Sequence, residues 1–250
     1  MTILKELILG KGYCVVKANN IKLLEKAQDR IVELARNHKK LRDVSSIKEL
    51  REKLKTLNGN EINDLNLFML SFSELSSMMV EAFSESVKKI SGEALFLQRR
   101  AHIVLNISGN KGSAVMAHVD GMSGISPFAF TLWTPGHDVD DDTGVWILDQ
   151  DTSMRHLEQE RENDCVMGDD VLALYKDIKP ARLKLGEAVI FNPYAMHGAV
   201  AHDNRLSRIG LSTRFQSRKY PLFIRNSEFY YPYQLSVKQP DYASMFQKAN

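Results

Sequence analysis

The sequence predicts a β-rich α+β fold in which a helical layer precedes a β-sandwich or barrel. Up to residue 92, apolar side chains recur at intervals of three and four, as on amphipathic helices. After Gly92, short β-type runs alternate with clusters of Gly, Pro, Asp and Asn, which favour turns. The chain of 250 residues is 44% hydrophobic and shows no compositional break, so one domain over 1–250 is expected.

Residues 1–92 are predicted to be mostly helical scaffold. The runs IKLLEKAQDRIVELARNHKKL and LNLFMLSFSELSSMMVEAFSESVKKI have helical periodicity, and Gly92 is expected to end the second. The β-branched segment GYCVVKA precedes the first long helix and is predicted to be a strand.

Residues 93–220 are predicted to form the β-rich part. The candidate strands are ALFLQRRAHIVLNIS, SPFAFTLWT, GVWIL, ARLKL, EAVIFNP and SRIGLSTRF. The polar segment 149–174 interrupts them as an insertion, helical around MRHLEQERE, which is either a lid over the site or a dimer contact. Residues 221–250 are expected to be a C-terminal extension.

The first of these runs alternates between apolar and polar residues. One parity carries Leu97, Ala101, Ile103, Leu105 and Ile107, with Arg99 as its one charge, and the other carries Gln98, Arg100, His102 and Asn106. In a sheet covered by helices on one face, the apolar set packs against the helices. The polar set then faces either solvent or a wet cavity, where Arg100, His102, Asn106 and Arg214 are candidate substrate contacts.

His118 and Asp120 are the first candidate metal ligands. On an extended segment they share one face, with Cα atoms about 6.5 Å apart. His197, which follows the run EAVIFNPYAM, supplies the second imidazole. Two histidines and one carboxylate leave open positions on an octahedral ion. The alternative is a surface histidine beside a turn aspartate. His156 and Glu158 are poorer candidates because positions i and i+2 of a helix point apart.

Arg208 is the candidate anion-binding residue. On a strand over SRIGLSTRF, Arg208, Ser212 and Arg214 share one face and the apolar residues share the other. A buried guanidinium needs an anionic partner, and its fork matches a carboxylate such as the distal end of 2-oxoglutarate. For both arginines the alternative is an internal salt bridge to Asp or Glu.

Three segments, AHVDG, FTLWTPGHDVDDDTGVWIL and GEAVIFNPYAMHGAVAHDNRLSRIGLSTRF, resemble the phytanoyl-CoA dioxygenase-like branch of the Fe(II)/2-oxoglutarate oxygenases. The resemblance covers about residues 95–217. The closing strand with RFQSRKYPLF is most similar to bacterial members found with surface-carbohydrate or aminoglycoside-type biosynthesis.

This resemblance implies a double-stranded β-helix, or jelly roll, with its helical layer on the major sheet. It implies iron at His118, Asp120 and His197 and 2-oxoglutarate at Arg208, with Trp133 nearby. Thr131 and Gln98 are also assigned to the co-substrate site, and Thr143 and Gly144 stand at the usual Asn-Gly turn. The chain departs from the family pattern in two places, at Gly210, where a Ser is frequent, and in the acidic DVDDD.

The expected function is therefore Fe(II)- and 2-oxoglutarate-dependent oxidation by O2, by default hydroxylation, of a small polar or anionic, carbohydrate-related metabolite. The alternatives are a cupin-like isomerase or dioxygenase that does not use 2-oxoglutarate, and a non-catalytic sugar-binding relative. A net charge of +2 does not favour nucleic acid, and no apolar stretch favours a membrane. Two widely spaced cysteines favour the cytoplasm. The oligomeric state stays open.

Overall fold

The structure of the protein is a computed structural model that describes residues 2–69, 74–140, 143–163, 178–223 and 227–236. Its α-helices are α1 (Ile3–Leu9), α2 (Ile21–Ala35), α3 (Ile47–Leu54), α4 (Gly59–Met69), α5 (Glu74–Ala82), α6 (Ser84–Ser91) and α7 (Gln150–Asn163). Its strands are β1 (Tyr13–Lys17), β2 (Ala94–Gln98), β3 (His102–Asn106), β4 (Phe130–Pro135), β5 (Val145–Ile147), β6 (Glu187–Phe191), β7 (His197–Ala199), β8 (Arg208–Ser217) and β9 (Tyr230–Gln234).

The helical first third and the strand β1 confirm the prediction, with one correction. The second long apolar run is not one helix, because it covers the end of α4 and the separate helices α5 and α6, and the last two meet at the fully buried Phe83. Periodicity does not reveal such a break when both helices present apolar faces to one core. Gly92 has a φ of 79°, which glycine adopts without strain, and it ends α6 as expected. None of the described helices is long and apolar enough to cross a membrane.

Seven strands form one antiparallel sheet in the order β1-β6-β4-β8-β2-β9, with β3 also paired to β8. The long strand β8 pairs with β4 along one edge and with both β2 and β3 along the other. The run ALFLQRRAHIVLNIS is therefore two strands and not one, because the chain leaves the ladder at residues 99–101 between β2 and β3.

A second sheet contains β5 and β7. The short strand β7 and the strand β9 were not predicted, since each lies in a segment without a clear apolar alternation. The predicted strand ARLKL is wrong: Leu183 makes only an isolated bridge to Val139. The insertion contains α7, which confirms its helical part, whereas residues 164–174 lie outside the described residues, as do 224–226 and 237–250 of the C-terminal extension.

The two faces of the large sheet have different environments, as the alternation predicted. The odd-numbered residues Leu97, Ala101, Ile103, Leu105 and Ile107 belong to the core shared with the helices. On the other face, Arg214 is paired with Thr131, Ser212 with both Trp133 and His102, and Arg208 with Asn106. The helical layer therefore closes one face and leaves the polar face to the second sheet.

His137 connects the end of β4 to β8 by an uncharged hydrogen bond. The backbone N–H of Ile209 donates to His137 Nε2 at 3.1 Å, and His137 Nδ1 lies 2.7 Å from the carbonyl oxygen of Asp138. Because Nε2 accepts, Nδ1 carries the proton. Burial, and then the charge of Arg51, lowers the pKa of His137 to about 4.

We expect this histidine to make stability depend on pH. The unfolded chain binds a proton near the ordinary histidine pKa of about 6.5, whereas the folded protein does so only near 4. Stability is therefore complete above that range, and each unit of acidification within it lowers the unfolding free energy by roughly 1.4 kcal/mol. Urea unfolding between pH 7 and pH 4.5 measures this slope. His137→Gln, whose amide accepts a hydrogen bond without titrating, should have a shallower slope, and an unchanged slope would contradict the assignment.

Candidate metal centre

His118, Asp120 and His197 lie together between the two sheets. The backbones of His118 and His197 pair, and each N–H donates to the carbonyl oxygen of the other at 3.0 Å. Their ring centroids are 4.2 Å apart. Asp120 begins a short 3-10 turn two residues after His118, and the potential ligand atoms of the three residues all lie within 4.8 Å of one another. The structure thus brings together the three side chains selected from the sequence, and this group can hold a metal ion.

Backbone carbonyl groups orient both imidazoles. Nδ1 of His118 lies 2.9 Å from the oxygen of Met116, and Nδ1 of His197 lies 3.0 Å from that of Ala195. A carbonyl oxygen only accepts, so Nδ1 is the donor and Nε2 keeps its lone pair for a metal. Burial lowers the pKa of His197 to about 4, which keeps the ring neutral, as a ligand must be.

Asp120 is buried and is held by two neighbouring side chains. Arg214 contacts it with both arms of the guanidinium, at 2.5 Å from Nη2 to Oδ1 and 3.0 Å from Nε to Oδ2. Thr131 donates its hydroxyl to Oδ2. Burial opposes ionisation, but the charge and hydrogen bonds of Arg214 outweigh it and lower the pKa of Asp120 well below its usual range. The carboxylate is therefore ionised and able to bind a cation.

Arg214 forms the internal salt bridge that was the alternative to a substrate contact, although it also lines the cavity, so the predicted substrate contact stays a prediction. The reason is that β8 and β4 are adjacent, so Arg214 lies beside Thr131 and both reach the same carboxylate. The positive charge of Arg214 is therefore largely neutralised by Asp120.

Arg208 has the opposite environment. It is 1% exposed, and its Nη1 donates to the carbonyl oxygens of Thr143 and Gly144, each at 3.3 Å. Its guanidinium lies 5.4 Å from the ring centre of Trp133. Its Nε has no partner, and no carboxylate of the described residues forms a salt bridge with it. Burial lowers its pKa to about 10, so it remains charged at neutral pH and suits an anion from outside the chain.

Gly210 leaves the space that Trp133 occupies. A Cβ atom at Gly210 would lie 2.8 Å from Cζ2 and 2.9 Å from Nε1 of Trp133, well inside normal contact distance. A serine at this position would displace the indole. The indole beside Arg208 therefore requires glycine on the neighbouring strand.

The remaining polar residues between 98 and 106 have three different environments. His102 lines the cavity that contains the metal group, and its Nε2 lies 3.2 Å from Gln98 Nε2. Gln98 also accepts a hydrogen bond from the backbone N–H of Arg214 at 3.0 Å, and Asn106 is buried with its amide donating to the carbonyl of Val200 at 2.8 Å. Arg100 is exposed in the break between β2 and β3 and is absent from the described residues that line the cavity, so the structure does not place it with the other candidates.

Tyr230 was not selected from the sequence. Its Cα is paired with that of Gln98, which places it in the same cross-strand row as Arg214. Its hydroxyl is buried and has no partner among the described residues, and burial raises its pKa to about 12. Three tyrosines in the five residues YYPYQ do not identify the buried one, so the sequence carries no signal for Tyr230.

No protein-family model and no curated protein matches the chain. Among solved structures, the non-heme monooxygenase ThoJ in a Ni complex matches with a TM-score of 0.54 and 12% identity, over 98% of this chain and 95% of that chain. The non-heme alpha ketoglutarate dependent carbocyclase SnoK matches with 0.51 and 12%, over 97% and 89%. The epimerase SnoN in complex with Fe3+, alpha ketoglutarate and nogalamycin RO matches with 0.50 and 13%, over 86% and 82%. At these identities the similarity shows a shared fold.

The salt bridge at Asp120 predicts a metal-dependent change in stability. Arg214→Met leaves a buried carboxylate without its counter-charge, which should lower the unfolding free energy of the metal-free protein by about 3–5 kcal/mol. A divalent cation such as Fe(II) or Zn(II) supplies positive charge at the same place and should recover much of the loss. Urea unfolding with and without metal tests this. Arg218→Met, at the exposed residue directly after β8, is the control, and equal losses in the two variants would rule out the interpretation.

The Gly210 contact predicts that a larger residue at this position is harmful. Gly210→Ser forces the indole of Trp133 away from Arg208 and should weaken 2-oxoglutarate binding about tenfold, or 1.4 kcal/mol. Anaerobic titration of 2-oxoglutarate into the Fe(II)-loaded protein measures the affinity. Gly59→Ser is the control, because a Cβ atom there meets nothing within 4 Å. Equal affinity in the Gly210 variant would show that Trp133 does not position the co-substrate.

Proposed function

We propose that the protein is an Fe(II)- and 2-oxoglutarate-dependent dioxygenase that hydroxylates a small polar metabolite. The observation that carries this proposal is the pairing of two features in one cavity: a group of two histidines and one carboxylate, and a buried arginine with no carboxylate partner among the described residues. A structural ion pair at Arg208 would have removed the need for an anionic co-substrate.

The residues present fit both groups. His118, Asp120 and His197 would hold Fe(II), which prefers this ligand set when further positions stay open. The fork of Arg208 would bind the distal carboxylate of 2-oxoglutarate, with Trp133 against its guanidinium. When bound, iron and 2-oxoglutarate supply the oxidising power from O2, with release of succinate and CO2. Thr131 and Gln98 contact residues of the site. Thr131 donates a hydrogen bond to the Asp120 carboxylate, and Gln98 accepts one from the backbone N–H of Arg214.

Several finer assignments belong to the same proposal. The solved structures of similar fold include one described with Fe3+ and alpha ketoglutarate, which agrees with the cofactors proposed here. We propose that residues 1–250 form one oxygenase domain, that residues 93–220 form a double-stranded β-helix, and that the chain belongs to the phytanoyl-CoA dioxygenase-like branch with a carbohydrate-related substrate. A cytoplasmic location is proposed from the cysteine usage.

The decisive experiment tests chelation without knowledge of the substrate. Anaerobic addition of Fe(II) and 2-oxoglutarate should produce the weak visible charge-transfer band that arises when a 2-oxo acid chelates Fe(II). His197→Ala should abolish the band. Arg208→Lys keeps the charge but loses the fork, so the affinity for 2-oxoglutarate should fall more than about tenfold, or 1.4 kcal/mol.

Arg205→Lys is the matched control, since Arg205 lies near the start of the same strand with its side chain 84% exposed. A wild-type protein that binds iron but gives no band favours the cupin-like enzyme or the sugar-binding protein. An unchanged affinity in Arg208→Lys would remove Arg208 from the co-substrate site.

A further inference from the structure

A cleft lies directly beside the metal cavity, between α4 and β3. It has a volume of about 690 Å³. The metal cavity measures only about 140 Å³, below the range of roughly 300–1,000 Å³ that is usual for small-molecule sites. His102, Val104 and Val115 line both spaces, so the two are neighbours that share a wall. A substrate that reaches the metal has to extend beyond the metal cavity, and this cleft is the adjoining space.

The helical wall of the cleft is formed by asparagines. Asn60, Asn63 and Asn66 stand three residues apart on α4 and all line the cleft. Asparagine is a poor helix former, so helix stability does not explain this choice. Asn58, just before the helix, is explained, since its side chain accepts from the backbone N–H of Glu61 at 3.0 Å as a helix cap does. The other three have no such role.

Asn66 has an unused hydrogen-bonding atom. Its Oδ1 is buried and accepts no hydrogen bond from the described residues. A buried acceptor without a partner is costly, and native proteins rarely keep one without a reason. A hydroxyl or N–H group of a ligand in the cleft would satisfy this atom.

The opposite wall is the edge of a strand. Four consecutive residues, 102–105, line the cleft. Since consecutive side chains of a strand point to opposite faces, all four reach the cleft only at the strand's edge. Among the described strands, β3 pairs with β8 alone, so this edge offers backbone groups that are not used by a neighbouring strand. Both walls therefore present neutral donors and acceptors.

Charged groups are lacking where an anionic substrate would need them. Of the described residues that line the cleft, His102 is the only one that can titrate. In the metal cavity, Arg214 is paired with Asp120, and Arg208 is the proposed site of the co-substrate carboxylate. Among the described residues that line the two cavities, no cationic side chain is thus left for a phosphate or carboxylate of the substrate.

We propose that this cleft binds the substrate, and that the substrate is a neutral molecule rich in hydroxyl or amide groups, and not an anion. The inference rests on the proposed function, because it takes the cleft as the substrate site of the same metal centre. Asn63 and Asn66 donate to and accept from the ligand, and the free edge of β3 contacts it from the opposite wall.

The test compares two probes that differ by one phosphate: N-acetylglucosamine and N-acetylglucosamine 6-phosphate. They are titrated into the 2-oxoglutarate-bound protein with Zn(II) in place of iron, and the side-chain amide signals of Asn63 and Asn66 are followed by NMR. The neutral probe should shift both signals, and the phosphorylated probe should bind no more tightly. Asn66→Ala and Asn63→Ala should each weaken the neutral probe at least tenfold, while both variants keep the helix, because alanine favours it.

Asp64→Ala is the matched control, since Asp64 lies on the same helix, is exposed and does not line the cleft. It should bind the neutral probe within twofold of wild type. The proposal is overturned when the neutral probe leaves Asn63 and Asn66 unshifted, when the phosphorylated probe binds tenfold more tightly, or when Asn66→Ala binds as wild type does. The charge-transfer band of the wild-type protein is read separately: a band without amide shifts refutes only the cleft, and amide shifts without a band refute only the oxygenase.

Discussion

The two-armed contact between Arg214 and Asp120 is the interaction on which the metal centre depends. A carboxylate as buried as Asp120 would take up a proton if it stood alone, and a protonated carboxyl is a poor ligand. Arg214 prevents this before any metal arrives. Its geometry is set by three strands at once, because Arg214 is on β8, Thr131 on β4 and Gln98 on β2. The charge of Asp120 thus depends on residues from three strands of the sheet.

Strand β8 lies between the hydrophobic core and the cavity of the candidate metal group. On β8, Ile209, Leu211 and Phe215 pack with the helices, while Arg208, Ser212 and Arg214 face the cavity. A slip of one residue against β4 would exchange these sets, placing guanidinium groups in the apolar core. The packing of the helices against β8 therefore holds the register that the site requires.

Much of this arrangement could be predicted from the residues. The alternation around Ile103 identified which face of the sheet is buried, and the spacing of His118 and Asp120 identified two of the three residues that the structure brings together as a possible metal group. The parity of β8 placed Arg208 and Arg214 on one face, but parity does not say what stands across a cavity, so the partner of Arg214 was missed. The asparagines of α4 were missed for a related reason. The helix was recognised from its apolar positions, and no sequence pattern distinguishes a polar residue that contacts a ligand from one that contacts solvent. The break between β2 and β3 was also missed, because it becomes visible only when both strands pair with the long strand β8.

The paired backbones of His118 and His197 have a consequence for how the protein acquires its metal. The two histidines are held side by side by reciprocal peptide hydrogen bonds, and each imidazole is turned by a carbonyl of its own segment. The backbone therefore fixes the two imidazoles relative to each other. The affinities of such ligands for first-row metals follow the general order that favours copper and zinc over iron. Whether iron occupies the site then depends on which ions are available to the protein. The metal found in a purified sample therefore reflects this supply as much as the preference of the ligands.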